Sequence, residues 1–291
     1  MAKQPLAEVF GFPINNQDRD ATRYRKNKLC PFNNKVPNCT KDKANDPLGV
    51  CSVLIGKETA ITCPIRFRQD WIIADDAAAF FFPADTTWTS LTEVRLKDAD
   101  NVSAGNIDIV LVAYDEKGRL TDFGALEVQA VYISGNVRKP FEFFMSDPFA
   151  NSQMDWSTER NYPNPDYLSS SRKRLAPQLL FKGGILHSWG KKCAVALDTG
   201  FFDTLPELNA VDPSDAEIAW LVYDLVLAPE VDMYTLTLAK TVYTKFSESL
   251  QQITVARPGS MTDFVDVLQG KLDEKLDGSS PPNNIALDEL L

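Results

Sequence analysis

"GNIDIVLVAYDEKGRLTDFGALEVQAVYISG" (residues 105–135) reads as two extended apolar runs, 107–114 and 123–133, joined by the polar turn "DEKGR" with Gly118 as its breaker. The second run carries Glu127 and Gln129. On a strand, residues i and i+2 share a face, so these two point one way while Leu126, Val128 and Ala130 point the other way, toward a core. A buried polar group without a partner costs roughly 1–3 kcal/mol. A carboxylate and an amide side by side therefore mark either a solvent-facing edge strand or part of a site. Asp108 opens the first run and is its only charge before Asp115. An antiparallel hairpin brings the start of its first strand near the later part of its second, so Asp108 and Glu127 can converge. A third carboxylate, Glu93 in "SLTEVRLKDAD", lies upstream on a helix or strand.

Two or three convergent carboxylates suit Mg²⁺, a hard cation that keeps several waters and shares phosphate oxygens with its substrate. Such an ion lowers the pKa of a bound water and offsets charge developing on phosphate. An Asp followed by Glu-x-Gln at the end of a hairpin resembles the PD-(D/E)xK nuclease pattern, with Gln129 at the lysine position.

The chain has 291 residues, of ordinary globular composition, and a net charge of −10. The charge is uneven: residues 1–70 hold 12 Lys/Arg against 7 Asp/Glu, so any nucleic-acid contact is expected on one face. No apolar run approaches the roughly 20 residues that span a membrane, and the start has no signal-peptide core. A cytoplasmic protein without membrane contact is expected. The single histidine, His187, excludes multi-His metal sites, and "ILHSWG" reads as a structural turn. The chain has no Walker loop, no G-x-G-x-x-G and no internal repeat.

Four of the five cysteines, Cys30, Cys39, Cys51 and Cys63, fall at C-x8-C-x11-C-x11-C spacing in a segment poor in large apolar residues. Such a module needs a staple, and without a signal peptide a tetrahedral Cys₄ metal site is favoured over disulfides. Zinc and iron both fit. Cys193, in an apolar run, reads as a core thiol. Ahead of Cys30, "RDATRYRKNK" would as a helix place Arg19, Arg23 and Lys26 on one face, with Lys35 following, as a phosphate-contacting patch.

"FGFPINNQDRDATRYRKNKLCPFNNKVPNCTKDKANDPLGVCSV", "LEVQAVYISGNVRKPFEFF" and "YLSSSRKRLAPQLLFKGGILHSWGKK" together resemble the NotI restriction endonuclease family over residues 8 to about 205. That resemblance implies an α/β fold with a PD-(D/E)xK core, a mixed central sheet flanked by helices, and an amino-terminal Cys₄ module holding one iron. It implies a Mg²⁺-dependent Type II endonuclease of prokaryotic origin, acting as a homodimer on a palindromic site in double-stranded DNA. Its catalytic set falls on Glu93, Asp108, Glu127 and Gln129. Asp108 and Glu127 would bind Mg²⁺, and Gln129 would orient the attacking water or a phosphate oxygen, since an amide cannot act as a base.

The DNA surface is expected over residues 134–178, from Asn136, Arg138, Lys139, Arg160, Arg172, Lys173 and Arg174, with Tyr162 and Tyr167 among them. Arg binds guanine edges and Asn prefers adenine. A GC-rich target is an expectation by analogy. Residues 1–70 are expected as the metal-stapled, DNA-contacting module and 71–291 as the endonuclease domain with an acidic tail. Two further readings stay open at this level: a DNA-binding protein of this fold without cleavage, and a metal-stapled interaction protein.

Overall fold

The computed structural model of the protein describes residues 4–277 apart from 44, 229 and 231; the acidic tail expected beyond these lies outside the described residues. By its contacts the chain divides into two units, Met1–Thr254 and Val255–Leu291. The boundary expected near residue 70 therefore falls inside the first unit.

That unit is built on a six-stranded mixed sheet. Its strands are β5 (Trp88–Lys97), β6 (Ser103–Tyr114), β7 (Leu120–Gln129), β8 (Cys193–Asp198), β9 (Ile218–Ala228) and β10 (Met233–Thr244), in the order β10-β9-β8-β7-β6-β5. Strands β5, β6 and β7 form an antiparallel meander, as the alternating sequence and the "DEKGR" turn require. Asp115 closes that turn by accepting the Lys117 and Arg119 N–H groups at 2.9 and 2.8 Å, with Gly118 at φ +73°. Strand β8, "CAVALD", is buried along its whole length and runs parallel to both β7 and β9. A strand covered on both faces needs no polar alternation, and this one has none before Asp198.

The second extended run stops earlier than its composition suggests. Strand β7 ends at Gln129, and Tyr132–Ser134 leaves the sheet to pair with Asn164–Asp166. The break follows from Val131, whose N–H donates to the Ile61 carbonyl at 2.8 Å in another sheet.

That other sheet is amino-terminal and has four strands: β1 (Leu6–Val9), β2 (Phe12–Pro13), β3 (Val50–Ile55) and β4 (Glu58–Ile61), in the order β2-β1-β3-β4. Helix α1 (Arg19–Asn27) begins at Asp18, which caps the Ala21 N–H at 2.7 Å. Strand β1 is tied to the stretch that follows Cys63 by a buried ion pair, Glu8–Arg66 at 2.9 Å. Arg66 also donates to the Tyr234 carbonyl of β10 at 2.8 Å.

Helix α2 (Ile72–Phe81) covers one face of the central sheet. It packs against Ile109, Leu111, Leu126 and Ala130, the apolar face expected for β7. Gly124 sits beneath it, where a Cβ would lie 2.4 Å from the Phe81 ring. We expect Gly124→Ala to lower stability by about 1–3 kcal/mol through overpacking, measured by urea denaturation.

The opposite face carries a helical stretch, α4 (167–188). It consists of α-helical Tyr167–Ser170, Ala176–Gln178 and Gly184–Ser188 separated by π turns at Ser171–Leu175 and Leu179–Gly183. Helix α3 (Arg138–Ser146) precedes it, and α5 (Phe246–Thr254) packs beside it. His187 stacks on Phe246 with ring centres 4.8 Å apart, a structural placement. Cys193 is buried in the core. The second unit contains α6 (Met261–Leu276), capped by Ser260 through the Asp263 N–H at 3.2 Å. No helix among the described residues is long and apolar enough to cross a membrane.

Candidate active site

The register of the meander places the site. Thr92 pairs with Ile109 and Val94 with Ile107, so Glu93 stands opposite Asp108. Ile109 pairs with Leu126, so Asp108 in turn stands opposite Glu127. Glu93, Asp108 and Glu127 thus form one row across three neighbouring strands, which lie about 4.8 Å apart. Like charges directly opposite one another destabilise a sheet, so the row has a cost that the fold alone does not explain. Glu93 also adopts φ +58°, uncommon for a residue of its type. Backbone strain of this kind concentrates at functional sites.

Glu127 is 6% and Gln129 2% exposed, so the pair is buried and does not face solvent on an edge. Asp108 accepts the Val128 N–H at 2.9 Å. Burial raises its pKa, with Glu93 adding in the same direction against the Val128 N–H and Lys182. Burial, followed by the negative charge of Asp108, pushes Glu127 up to about 7 even though Lys182 opposes both. One oxygen of Glu127, Oε2, accepts from Lys182 Nζ at 2.5 Å. The other, Oε1, is buried and has no hydrogen-bond partner among the described residues. A buried acceptor left unpaired costs about 1–3 kcal/mol.

An orphaned carboxylate oxygen facing a second raised carboxylate is suited to a hard cation. Among the described residues no group of three or more His, Cys, Asp or Glu side chains could hold a metal ion by protein ligands alone. Mg²⁺ does not need one: it takes one or two carboxylates and fills its octahedron with waters and substrate phosphates. Asp108 and Glu127 fit that requirement.

Lys182 and Gln178 went unread in the sequence. Both come from α4: Gln129 donates its amide N–H to Gln178 Oε1, and Lys182 reaches Glu127 and also the Asn106 carbonyl at 2.8 Å. A signal for Lys182 did exist. Leu175, Leu179 and Leu186 set an i, i+4, i+11 apolar stripe, and residue 182 falls on it at i+7. A lysine on a buried stripe needs a buried partner.

A cleft of about 730 Å³ opens beyond the end of β7, lined by Lys41, Tyr132, Asn136, Arg138 and Arg174 among others. Of the residues expected on the DNA face, Asn136, Arg138 and Arg174 thus share one cleft. Arg174 donates to the Tyr132 hydroxyl at 2.7 Å and lies 4.3 Å from its ring centre. Arg138 is held by Asp42 at 2.6 Å and Asp46 at 2.8 Å, and its bond to Asp42 raises its pKa. Lys139 bonds Glu159 at 3.0 Å. Arg23, Lys35, Arg160, Arg172 and Lys173 are exposed and do not line this cleft. Arg25, in the same basic run as Arg23, is buried and donates to the Asn16 and Pro13 carbonyls at 2.6 Å.

The four amino-terminal cysteines are unpaired thiols; Cys39, Cys51 and Cys63 are buried and Cys30 is half-buried. Cys30 accepts from the Phe32 and Asn33 backbone and Cys39 from that of Lys41. Burial pushes Cys30 up to about 11, and Cys63 repels the thiolates of Cys30, Cys39 and Cys51. Cys63 thus lies within electrostatic range of the other three, although among the described residues the four thiols form no group placed to hold a metal ion.

The raised carboxyls set a pH dependence. Glu127, folded at about 7 against an ordinary 4.5, contributes stability that is complete below pH 4.5 and lost as pH rises toward 7. We expect the metal-free protein to lose roughly 3 kcal/mol from this group across that window, and Glu127→Gln to flatten the dependence in denaturant melts at pH 5 and 8.

No curated protein matches the chain. Residues 8–236 match the family described as restriction endonuclease NotI, a span that contains the carboxylate row, the cleft, α4 and all four amino-terminal cysteines. The chain belongs to the NotI restriction endonuclease family.

Proposed function

We propose that this chain is a Mg²⁺-dependent Type II restriction endonuclease that hydrolyses both strands of a palindromic, GC-rich DNA site as a homodimer. The observation that carries the reading is the row Glu93–Asp108–Glu127 with the unpaired Oε1 of Glu127, in a chain of this family. Asp108 and Glu127 would hold the ion. When bound, it would lower the pKa of a coordinated water and offset charge on the scissile phosphate. Gln129, its amide fixed by Gln178, orients the water or a phosphate oxygen and takes up no proton. Glu93 adds negative charge on the far side of Asp108 and favours cation capture.

The cleft beyond β7 receives the duplex. Arg174 and Asn136 stand where base edges or phosphates would pass, and Arg138 exchanges Asp42 and Asp46 for DNA. Lys139, Arg160, Arg172, Lys173, Arg23 and Lys35 supply outer phosphate contacts, so binding weakens steeply with salt. Two-fold symmetry of the target favours a two-fold dimer.

Cys30, Cys39, Cys51 and Cys63 would hold one structural iron or zinc that rigidifies residues 1–70 as a DNA-contacting module. Metal analysis of the purified protein should give about one thiophilic ion per chain. We expect Cys63→Ser to lose it and to melt earlier by thermal scanning.

Incubation of the purified chain with large genomic DNA tests the function. Discrete fragments in Mg²⁺ and none in EDTA, with ends mapping to one symmetric sequence, is the expected result. Salt-sensitive binding in Ca²⁺ without cleavage in Mg²⁺ would instead identify a DNA-binding protein that does not cut.

A further inference from the structure

Two residues apart on a strand span about 6.8 Å, and four residues apart on a helix rise about 6 Å. The site uses this match. Glu127 and Gln129 on β7 meet Lys182 and Gln178 on α4, one partner each. Gln129 is an amide, so β7 offers no positive charge beside its own carboxylate. Lys182 does. It is 4% exposed, and its Nζ bridges Glu127 on β7 and the Asn106 carbonyl on β6, two residues before Asp108. It is therefore tied to both strands that carry the buried carboxylates.

The geometry is also one-sided. Lys182 occupies Oε2 of Glu127 and leaves Oε1 open. With Lys182 on Oε2, Glu127 turns toward the second carboxyl, Asp108, which lies within side-chain hydrogen-bonding reach, and no donor among the described residues fills Oε1. Lys182 also sits in the π turn Leu179–Gly183, and such turns are frequent at functional sites. Gly105, whose φ of +108° favours glycine, lies beside the Lys182 side chain.

We propose that Lys182 is the active-site lysine of this protein, a positioning residue that supplies from α4 the fixed charge Gln129 cannot supply from β7 and holds Glu127 with Oε1 presented to the catalytic cation. The inference rests on the endonuclease reading.

It is tested on the full chain with Lys182→Met, Gln129→Lys and the two combined, the last moving the lysine from helix to strand. Single-turnover cleavage in Mg²⁺, duplex binding in Ca²⁺ and the thermal midpoint in EDTA are measured for each. Lys182→Met is expected to cut about 100-fold more slowly, the size of losing one oriented electrostatic group, while binding duplex within about 3-fold of the unaltered chain. The combined variant is expected to regain about 10-fold or more over Lys182→Met, a rescue that a merely structural lysine would not show. Cleavage by Lys182→Met within about 3-fold of the unaltered chain would overturn this inference alone. So would a combined variant that melts cooperatively and binds DNA but cuts no faster than Lys182→Met. A Lys182→Met chain that loses cooperative melting, with the combined variant doing the same, would make Lys182 structural and overturn it too. No cleavage by the unaltered chain on any DNA would overturn the endonuclease reading itself and this inference with it.

Discussion

Asp108→Ala and Glu127→Ala are each expected to slow single-turnover DNA cleavage in Mg²⁺ by about 10³-fold or more, roughly 4 kcal/mol of transition-state stabilisation. Each removes one of the two carboxylates suited to hold the cation. Neither should weaken duplex binding in Ca²⁺ by a comparable factor, because the basic cleft lies beyond the end of β7 and keeps its Arg138 and Arg174. Removing a negative charge near the phosphate path can even tighten binding. The two variants should differ in stability. Glu127→Ala leaves Lys182 as a buried cation with only the Asn106 carbonyl. Asp108→Ala frees the Val128 N–H and relieves the repulsion that raises Glu127. Glu127→Ala should therefore melt lower than Asp108→Ala. The checks are cleavage time courses and fluorescence anisotropy on the same duplex. Comparable losses of cleavage and binding would point to misfolding and not to lost chemistry.

The largest effect on stability is expected at Glu8→Ala. Glu8 and Arg66 are both fully buried, and Ser52 donates to the same carboxylate at 2.7 Å. Removing one partner of a buried pair costs about 3–5 kcal/mol, because the other is left charged and unpaired. In a unit of this size that lowers the melting temperature by roughly 10 °C. The two single variants should be unequal. Burial already raises the pKa of Glu8, so in Arg66→Met the remaining carboxyl can take up a proton. Arg66 cannot lose its charge, so Glu8→Ala is expected to cost more than Arg66→Met. The double variant Glu8→Ala/Arg66→Met should recover much of the loss. Thermal melts of the four proteins give the cycle.

The meander and two of its carboxylates were legible in the sequence because they depend on local rules. Alternation, the "DEKGR" turn and the two-residue face rule bring Asp108 opposite Glu127 without knowledge of the rest of the chain. Glu93 joins the row through the same antiparallel register, although its own segment read as helix or strand. What lay beyond reach depends on long-range packing. The end of β7 at Gln129 is set by a hydrogen bond from Val131 to Ile61, some 70 residues earlier. Lys182 and Gln178 enter the site through a crossover that starts after β7 and returns in parallel as β8, and nothing local fixes its register. Read alone, "LLFKGG" is a helical segment with one ordinary lysine. Arg138 looked free in sequence, yet Asp42 and Asp46, on the paired strands Asp42–Lys43 and Asp46–Pro47, hold it from almost 100 residues away.

The most direct test of the account is the position of the metal. Crystals of the protein with duplex DNA, grown with Mn²⁺ in place of Mg²⁺, would show the ion by its anomalous scattering. A peak in contact with both Asp108 and Glu127, on the Oε1 side of Glu127 and opposite Lys182, is the expected result. No peak at saturating Mn²⁺, or a peak that touches neither carboxylate, would contradict it.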